Sequence, residues 1–131
     1  MKKLFGLLFL LLVCAVCYTE DITSSRLYIE NHSSHNISIT SSYLGSENYV
    51  VAPGSSECIS QVTGSGLSLF ILQIAEVIFD DELIVAYDSK SDLTEYNICL
   101  EENWKYEEGG HMQKWTYTFT DEDFSYAKSL N

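Results

Sequence analysis

The sequence predicts an all-β fold: an antiparallel β-sandwich, immunoglobulin-like, closed by a short C-terminal helix. Three observations predict it. Runs that alternate apolar and polar residues recur from Leu27 onward, with turn residues between them at intervals of about eight to twelve positions. Two pairs of β-rich runs flank turns short enough to force hairpins. The period changes to that of a helix only after Thr120.

The elements follow in order. Leu27-Tyr28-Ile29-Glu30 alternates and reads as a first strand. Asn31-His32-Ser33-Ser34-His35 is a turn. Asn36 to Ser41 is a second strand with Ile37 and Ile39 on one face. Tyr49-Val50-Val51 is a short strand leading into the Pro-Gly turn Ala52-Pro53-Gly54-Ser55. Cys58 falls in the next strand, near Ile59 and Val62. Thr63-Gly64-Ser65-Gly66 breaks the chain. Leu67 to Ile74 is apolar at nearly every position and reads equally as a buried strand or a short helix.

Glu76-Val77-Ile78-Phe79 and Leu83-Ile84-Val85-Ala86-Tyr87 flank Asp80-Asp81-Glu82, a hairpin. Asp88 to Asn97 is a polar loop, and Cys99 follows it. A second hairpin joins Trp104-Lys105-Tyr106-Glu107 to Gln113–Phe119 through Glu108-Gly109-Gly110-His111. In its second strand Trp115, Tyr117 and Phe119 share one face, and Thr116, Thr118 and Thr120 the other. Thr120 can cap a last helix whose positive first turn holds Asp121, Glu122 and Asp123. Phe124, Ala127 and the stem of Lys128 would pack back.

Ahead of this domain stands a leader. Met1-Lys2-Lys3 is basic, and Leu4 to Val16 is a run of 13 uncharged residues. A spanning helix needs roughly 20, so the run has signal-peptide length. Three cuts fit: after Ala15, after Cys17, or before Cys17. The last resembles a lipobox, with lipid on Cys17, although Val16 and Cys14 depart from the usual pattern. Tyr18-Thr19-Glu20-Asp21 then puts two acids just after the cysteine. The plan is a signal peptide over 1–17, a tether over 18–25 and a single sandwich domain over 26–131.

The full chain carries 7 basic and 19 acidic side chains, a net charge of −12, and loses Lys2 and Lys3 with the leader. Such a field repels nucleic acid and anionic lipid surfaces and would favour cationic partners or divalent cations, with solubility alone as the simpler use of the charge. With the leader gone, the cysteines of the domain are Cys58 and Cys99. Export permits a disulfide between them, closing a loop of about 42 residues worth about 4 kcal/mol. The alternative is two free thiols.

Chemistry is sparse. The GxSxG elbow and HExxH are absent. His32, His35 and His111 could hold a metal only if the fold gathered them, and turn histidines are usually solvated. Asp88-Ser89-Lys90-Ser91-Asp92 has part of a calcium-loop spacing. It fails as an EF-hand, because Lys90 takes a ligand position and Cys99 the twelfth. Trp104, Tyr106, Trp115, Tyr117 and Phe119 could stack on a sugar or a protein, but cross-strand pairing and core are the simpler use. Asn31-His32-Ser33 and Asn36-Ile37-Ser38 match the glycosylation sequon and are read as turn chemistry. No catalytic, cofactor or metal residues are expected, and the chain is not read as an enzyme.

The order IENHSSHNISI, VAPGSS, IFDDELIVAYD and WTYTFTDEDFSYAK resembles small lipoproteins of Bacteroidetes-type bacteria, exported β-rich proteins of unknown function. The resemblance covers nearly the whole mature chain. It implies export, lipid on Cys17 and a sandwich-like domain, and implies no activity. The expectation is an exported, lipid-anchored protein of the outer membrane or cell surface. It would be a non-catalytic binding or adhesion accessory for a protein or glycan ligand. The rival is a soluble periplasmic or secreted acidic inhibitor or immunity-type protein that binds a basic enzyme. A purely structural envelope role is the third reading.

Overall fold

The computed structural model describes residues 24–45, 47–63, 72–91 and 93–131. The expected signal peptide, Cys17, most of the tether, the Leu67–Ile71 stretch and Asp92 lie outside them. Among the described residues eight strands run in order: β1 (Ser24–Asn31), β2 (Ile37–Thr40), β3 (Tyr49–Val51), β4 (Ser56–Thr63), β5 (Ile74–Phe79), β6 (Leu83–Asp88), β7 (Lys105–Gly109) and β8 (Met112–Phe119). Among the described residues one α-helix, α1 (Asp121–Ser129), follows. The strands form two four-stranded sheets, ordered β4-β1-β8-β7 and β3-β2-β5-β6.

Both expected hairpins are present. In β5–β6, Asp80 and Asp81 take φ of 52° and 60°, and Glu82 N–H donates to Phe79 O at 3.0 Å. Two successive positive φ values make the turn type whose twist suits a hairpin, and aspartate tolerates that region better than most residues. In β7–β8 the corresponding freedom comes from Gly110, at φ 60°.

Two expectations about the sheets are corrected. The sandwich was expected to be wholly antiparallel, yet β1 pairs parallel with β8, Ser24 opposite Met112 through Asn31 opposite Phe119. Alternation cannot reveal this, since inward and outward faces repeat every two residues in either direction. Ser24 and Ser25, expected in the tether, are already laddered into β1, with Thr63 and Val62 on one side.

The inward faces build one core. Leu27 and Ile29 of β1, with Trp115, Tyr117 and Phe119 of β8, meet Ile37, Ile39, Val77, Phe79, Val85 and Tyr87 of the other sheet. Phe79 and Phe119 touch edge to face across it, with centroids 6.1 Å apart. Each such side chain contributes about 1.5–3 kcal/mol by leaving water. Thr120 and Asp123 form a capping box at the start of α1. The helix then lays Ala127 and Phe124 on the core, as its spacing anticipates.

The bridge expected between Cys58 and Cys99 is absent: both are free thiols, Cys58 exposed and Cys99 buried. A bulge explains the geometry. Opposite Leu27 and Tyr28 of β1, β4 shifts register between Ser60 and Cys58, and the extra residue, Ile59, is the one β4 side chain that is buried. Cys58 therefore lies opposite Tyr28, whose place in the alternation of β1 is outward. Cys99 lies inside, its thiol 3.6 Å from Tyr87 O. Burial pushes its pKa up to about 12, which leaves it protonated and inert. A thiol reagent should label Cys58 in the folded domain and Cys99 only after unfolding. Cys58→Ser should shift stability by less than about 0.5 kcal/mol in urea denaturation.

Asn31 holds the two sheets at one point. It is fully buried. Its Nδ2 donates to His35 O at 2.7 Å and to Val51 O at 2.8 Å, and its Oδ1 accepts from Ser33 N–H at 2.9 Å and Ser33 Oγ at 2.6 Å. Its backbone N–H donates to Ser55 O, and its carbonyl accepts from Gly54 N–H. Asn31→Ala would take one hydrogen bond each from Val51 O, His35 O and the Ser33 amide, at a cost of about 2–4 kcal/mol. A denaturant midpoint unchanged in that variant would contradict the assignment.

Candidate functional site

Two places on the molecule bring polar chemistry together. The first is an open groove of about 610 Å³ on the face of the β7–β8 hairpin, lined by Glu101, Glu102, Tyr106, Gln113 and Trp115. Register places the lining. Tyr106 opposes Trp115 and Glu108 opposes Gln113 across the antiparallel pair, so these four share a face. Glu101 and Glu102 stand in the short 3₁₀ turn Glu101–Asn103 that delivers the chain into β7.

Trp115 is 7% exposed and Tyr106 40%, with ring centroids 4.5 Å apart. The pair forms a wall with one buried and one wetted ring. Tyr106 Oη donates to Glu108 Oε2 at 2.9 Å. Partial burial first, and then this carboxylate, raise the Tyr106 hydroxyl above its usual pKa, while a hydrogen bond from Gln113 opposes them. Gln113 is 5% exposed, and its Oε1 is buried without a hydrogen-bond partner. An unsatisfied buried acceptor costs about 1–3 kcal/mol.

The second place lies at the opposite end of β8. His35 Nδ1 is 2.5 Å from Asp80 Oδ2, and its Nε2 is 4.0 Å from Asp121 Oδ1. The ring stacks on Phe124 at 3.6 Å between centroids. Asp80 Oδ1 also accepts from Asn36 N–H at 2.9 Å, and Asp121 Oδ1 accepts from the N–H and Oγ of Ser34, each at 2.9 Å. One imidazole thus clasps the β1–β2 turn to the β5–β6 turn and to α1. A serine and a histidine beside carboxylates invite comparison with a nucleophile triad, but the hydroxyls face elsewhere. Ser34 Oγ serves Asp121, and Ser33 Oγ serves Asn31, so neither is activated by the imidazole.

The remaining sequence candidates are dispersed. His32 pairs with Glu30 at 3.4 Å on the surface, and His35 sits in the clasp. Among the described residues no three His, Cys, Asp or Glu side chains converge for a metal. Asp88 is occupied by its own loop, its Oδ1 accepting from Lys90 N–H at 2.7 Å and Ser91 N–H at 2.8 Å. These bonds hold its carboxyl below the usual range. Asn31 of the first sequon is buried, with its carboxamide bonded to His35 O, Val51 O and Ser33 N–H. Of the aromatic set, Trp104, Trp115, Tyr117 and Phe119 are core, and Tyr106 alone reaches water.

The sequence reading missed the clasp and Gln113. Extending the inward face of β8 back two residues from Trp115 would have found Gln113. Comparison with family models, curated proteins and solved structures finds no match for the chain.

The clasp has a pH dependence. The bond from His35 is the main cause lowering the Asp80 carboxyl, and the bonds from Ser34 lower that of Asp121. A carboxyl depressed on folding contributes stability above its unfolded pKa of about 3.9 and loses it as pH falls through the folded value. Urea denaturation should show stability falling below about pH 4. The fall should be shallower in the Asp80→Asn/Asp121→Asn double variant, and equal slopes would remove these two carboxyls from the account.

Proposed function

We propose that the protein is a non-catalytic binding module of the cell envelope, exported and tethered by lipid on Cys17. The observation that carries the binding reading is the groove beside β7 and β8, where an aromatic wall, a buried acceptor and two carboxylates adjoin one opening. The leader pattern and the acids after Cys17 support export and the anchor. A non-catalytic role is supported by the engagement of Ser33, Ser34, Asp80 and Asp121 in holding turns together.

The finer reading of the domain as a sandwich is supported by two four-stranded sheets that share one core. The parallel β1–β8 pair departs from the wholly antiparallel sheets of the immunoglobulin-like expectation.

The second reading is a soluble acidic inhibitor of a basic enzyme, and the excess of acidic residues favours it. Intact mass of the mature protein from envelope and soluble fractions separates the two. A diacyl or triacyl adduct on a chain beginning at Cys17 is the expected result. An unmodified chain beginning at Tyr18 would overturn the anchor and make the inhibitor reading the leading one.

A further inference from the structure

The outer face of the β3-β2-β5-β6 sheet carries an apolar row. Alternation sets it: Ile37, Ile39, Val77, Phe79 and Val85 point into the core, so Ser38, Ile78 and Ile84 point out. Register lines them up. Val50 opposes Ser38, Ser38 opposes Ile78, and Ile78 opposes Ile84, a row about 14 Å long across four strands. Val50 and Ile84, at its two ends, are 56% and 51% exposed, and Ile74, further along β5, is 54% exposed. Large apolar side chains grouped on one exposed face mark an interaction surface.

Charge and symmetry select the occupant. The chain carries 19 acidic side chains, yet the outward positions of these four strands hold only Glu76 and Asp88. Asp88 stands at the strand end, already bonded to the Lys90 and Ser91 amides. A basic partner drawn by the chain's field would settle on the acids elsewhere. Two negative copies can meet closely only through a face nearly free of carboxylates, which this face is. The row is also self-complementary. A two-fold axis parallel to the strands, between β2 and β5, lays the row on its own reverse. Val50 then meets Ile84 of the second copy, and bulky Ile78 lies over small Ser38, which is 6% exposed. In the next row Thr40 opposes Glu76. The same axis sets the Glu76 carboxylate across from the Thr40 hydroxyl of the second copy and away from its own counterpart.

We propose that this face is a self-association surface, on which two copies of the chain stack as an isologous dimer. Four strands about six residues long present about 400 Å² in projection, below the roughly 800 Å² per partner of a stable complex. The dimer is therefore weak and forms at high concentration. None of the residues lining the β7–β8 groove belongs to this face, so the contact is independent of what the groove binds.

Sedimentation equilibrium of the full mature chain, between about 10 μM and about 1 mM, should show a monomer–dimer equilibrium. Raising NaCl from about 0.05 M to about 0.5 M should strengthen it, because salt screens the like charge of the two copies and leaves apolar contact intact. Ile84→Lys and Val50→Lys, each at an exposed side chain, should weaken it by about tenfold while the melting temperature is kept. Crosslinking on a Cys58→Ser background tests the orientation. Val50→Cys chains mixed with Ile84→Cys chains should form disulfides with each other in preference to either chain with itself. A monomer throughout would leave the face to a foreign partner and overturn the proposal. So would a dimer indifferent to both lysines, a dimer weakened by salt, or crosslinks of like with like.

Discussion

The fold hangs on the buried carboxamide of Asn31. Strand β1 ends there in one sheet, and the chain must cross to the other sheet to start β2. A crossing of this kind leaves carbonyls and amides without ladder partners inside the protein, which is costly unless something supplies them. Asn31 supplies them in both directions, reaching Val51 O of the second sheet and His35 O of the turn it opens. Its backbone also fastens the Gly54–Ser55 turn, through which the chain returns to the first sheet. The next amide, His32 N–H, donates to Phe119 O at 2.8 Å, which carries the parallel ladder to its end.

The same solution recurs at two other places where the chain leaves its sheets. Asn97 is fully buried. Its Nδ2 donates to Asp88 O and Ser91 O, and its Oδ1 accepts from Cys99 N–H. Asn103 then donates to Thr94 O and Asn97 O, so the loop between β6 and β7 folds around amide side chains. At the start of α1 the hub is Asp123, buried under Tyr117. It accepts from Tyr117 Oη at 2.6 Å and from Thr120 N–H at 2.8 Å. Burial is the largest influence on its carboxyl and raises its pKa, with those hydrogen bonds opposing. Its ionised form is therefore least costly when every bond is kept. Asn31, Asn97 and Asp123 carry the irregular backbone, and the alternating strands carry the apolar core.

This division explains what could be read from the residues alone. Ile37 with Ile39, Trp115 with Tyr117 and Phe119, and both hairpin turns were legible because alternation and turn chemistry are local. The capping box at Thr120 was legible for the same reason. The direction in which β1 meets β8 was not, since strand pairing is a long-range property that leaves no mark within either strand. Cys58 and Cys99 looked like a bridge because a count of cysteines contains no facing. One bulged residue, Ile59, was enough to leave Cys58 opposite outward-facing Tyr28. Asn31 looked like an ordinary turn residue, because its importance comes from carbonyls brought to it by other elements.

The candidate site was half legible for a related reason. Its aromatic members announced themselves, but which carboxylates are free to act depends on what the fold has already done with them. Asp80, Asp88, Asp121 and Asp123 each accept hydrogen bonds from neighbouring chain, so their oxygens are committed to turns and a helix start. Glu107 is paired with Lys105 at 3.1 Å, and Glu108 holds Tyr106. Among the described residues Glu101 and Glu102 carry no such bond, and they flank an opening that Gln113 also lines. In a chain this acidic, a carboxylate by itself says little about binding, because most of them are structural or solvated. The informative ones are those the fold leaves unspent beside an opening, and β7–β8 is where both conditions meet.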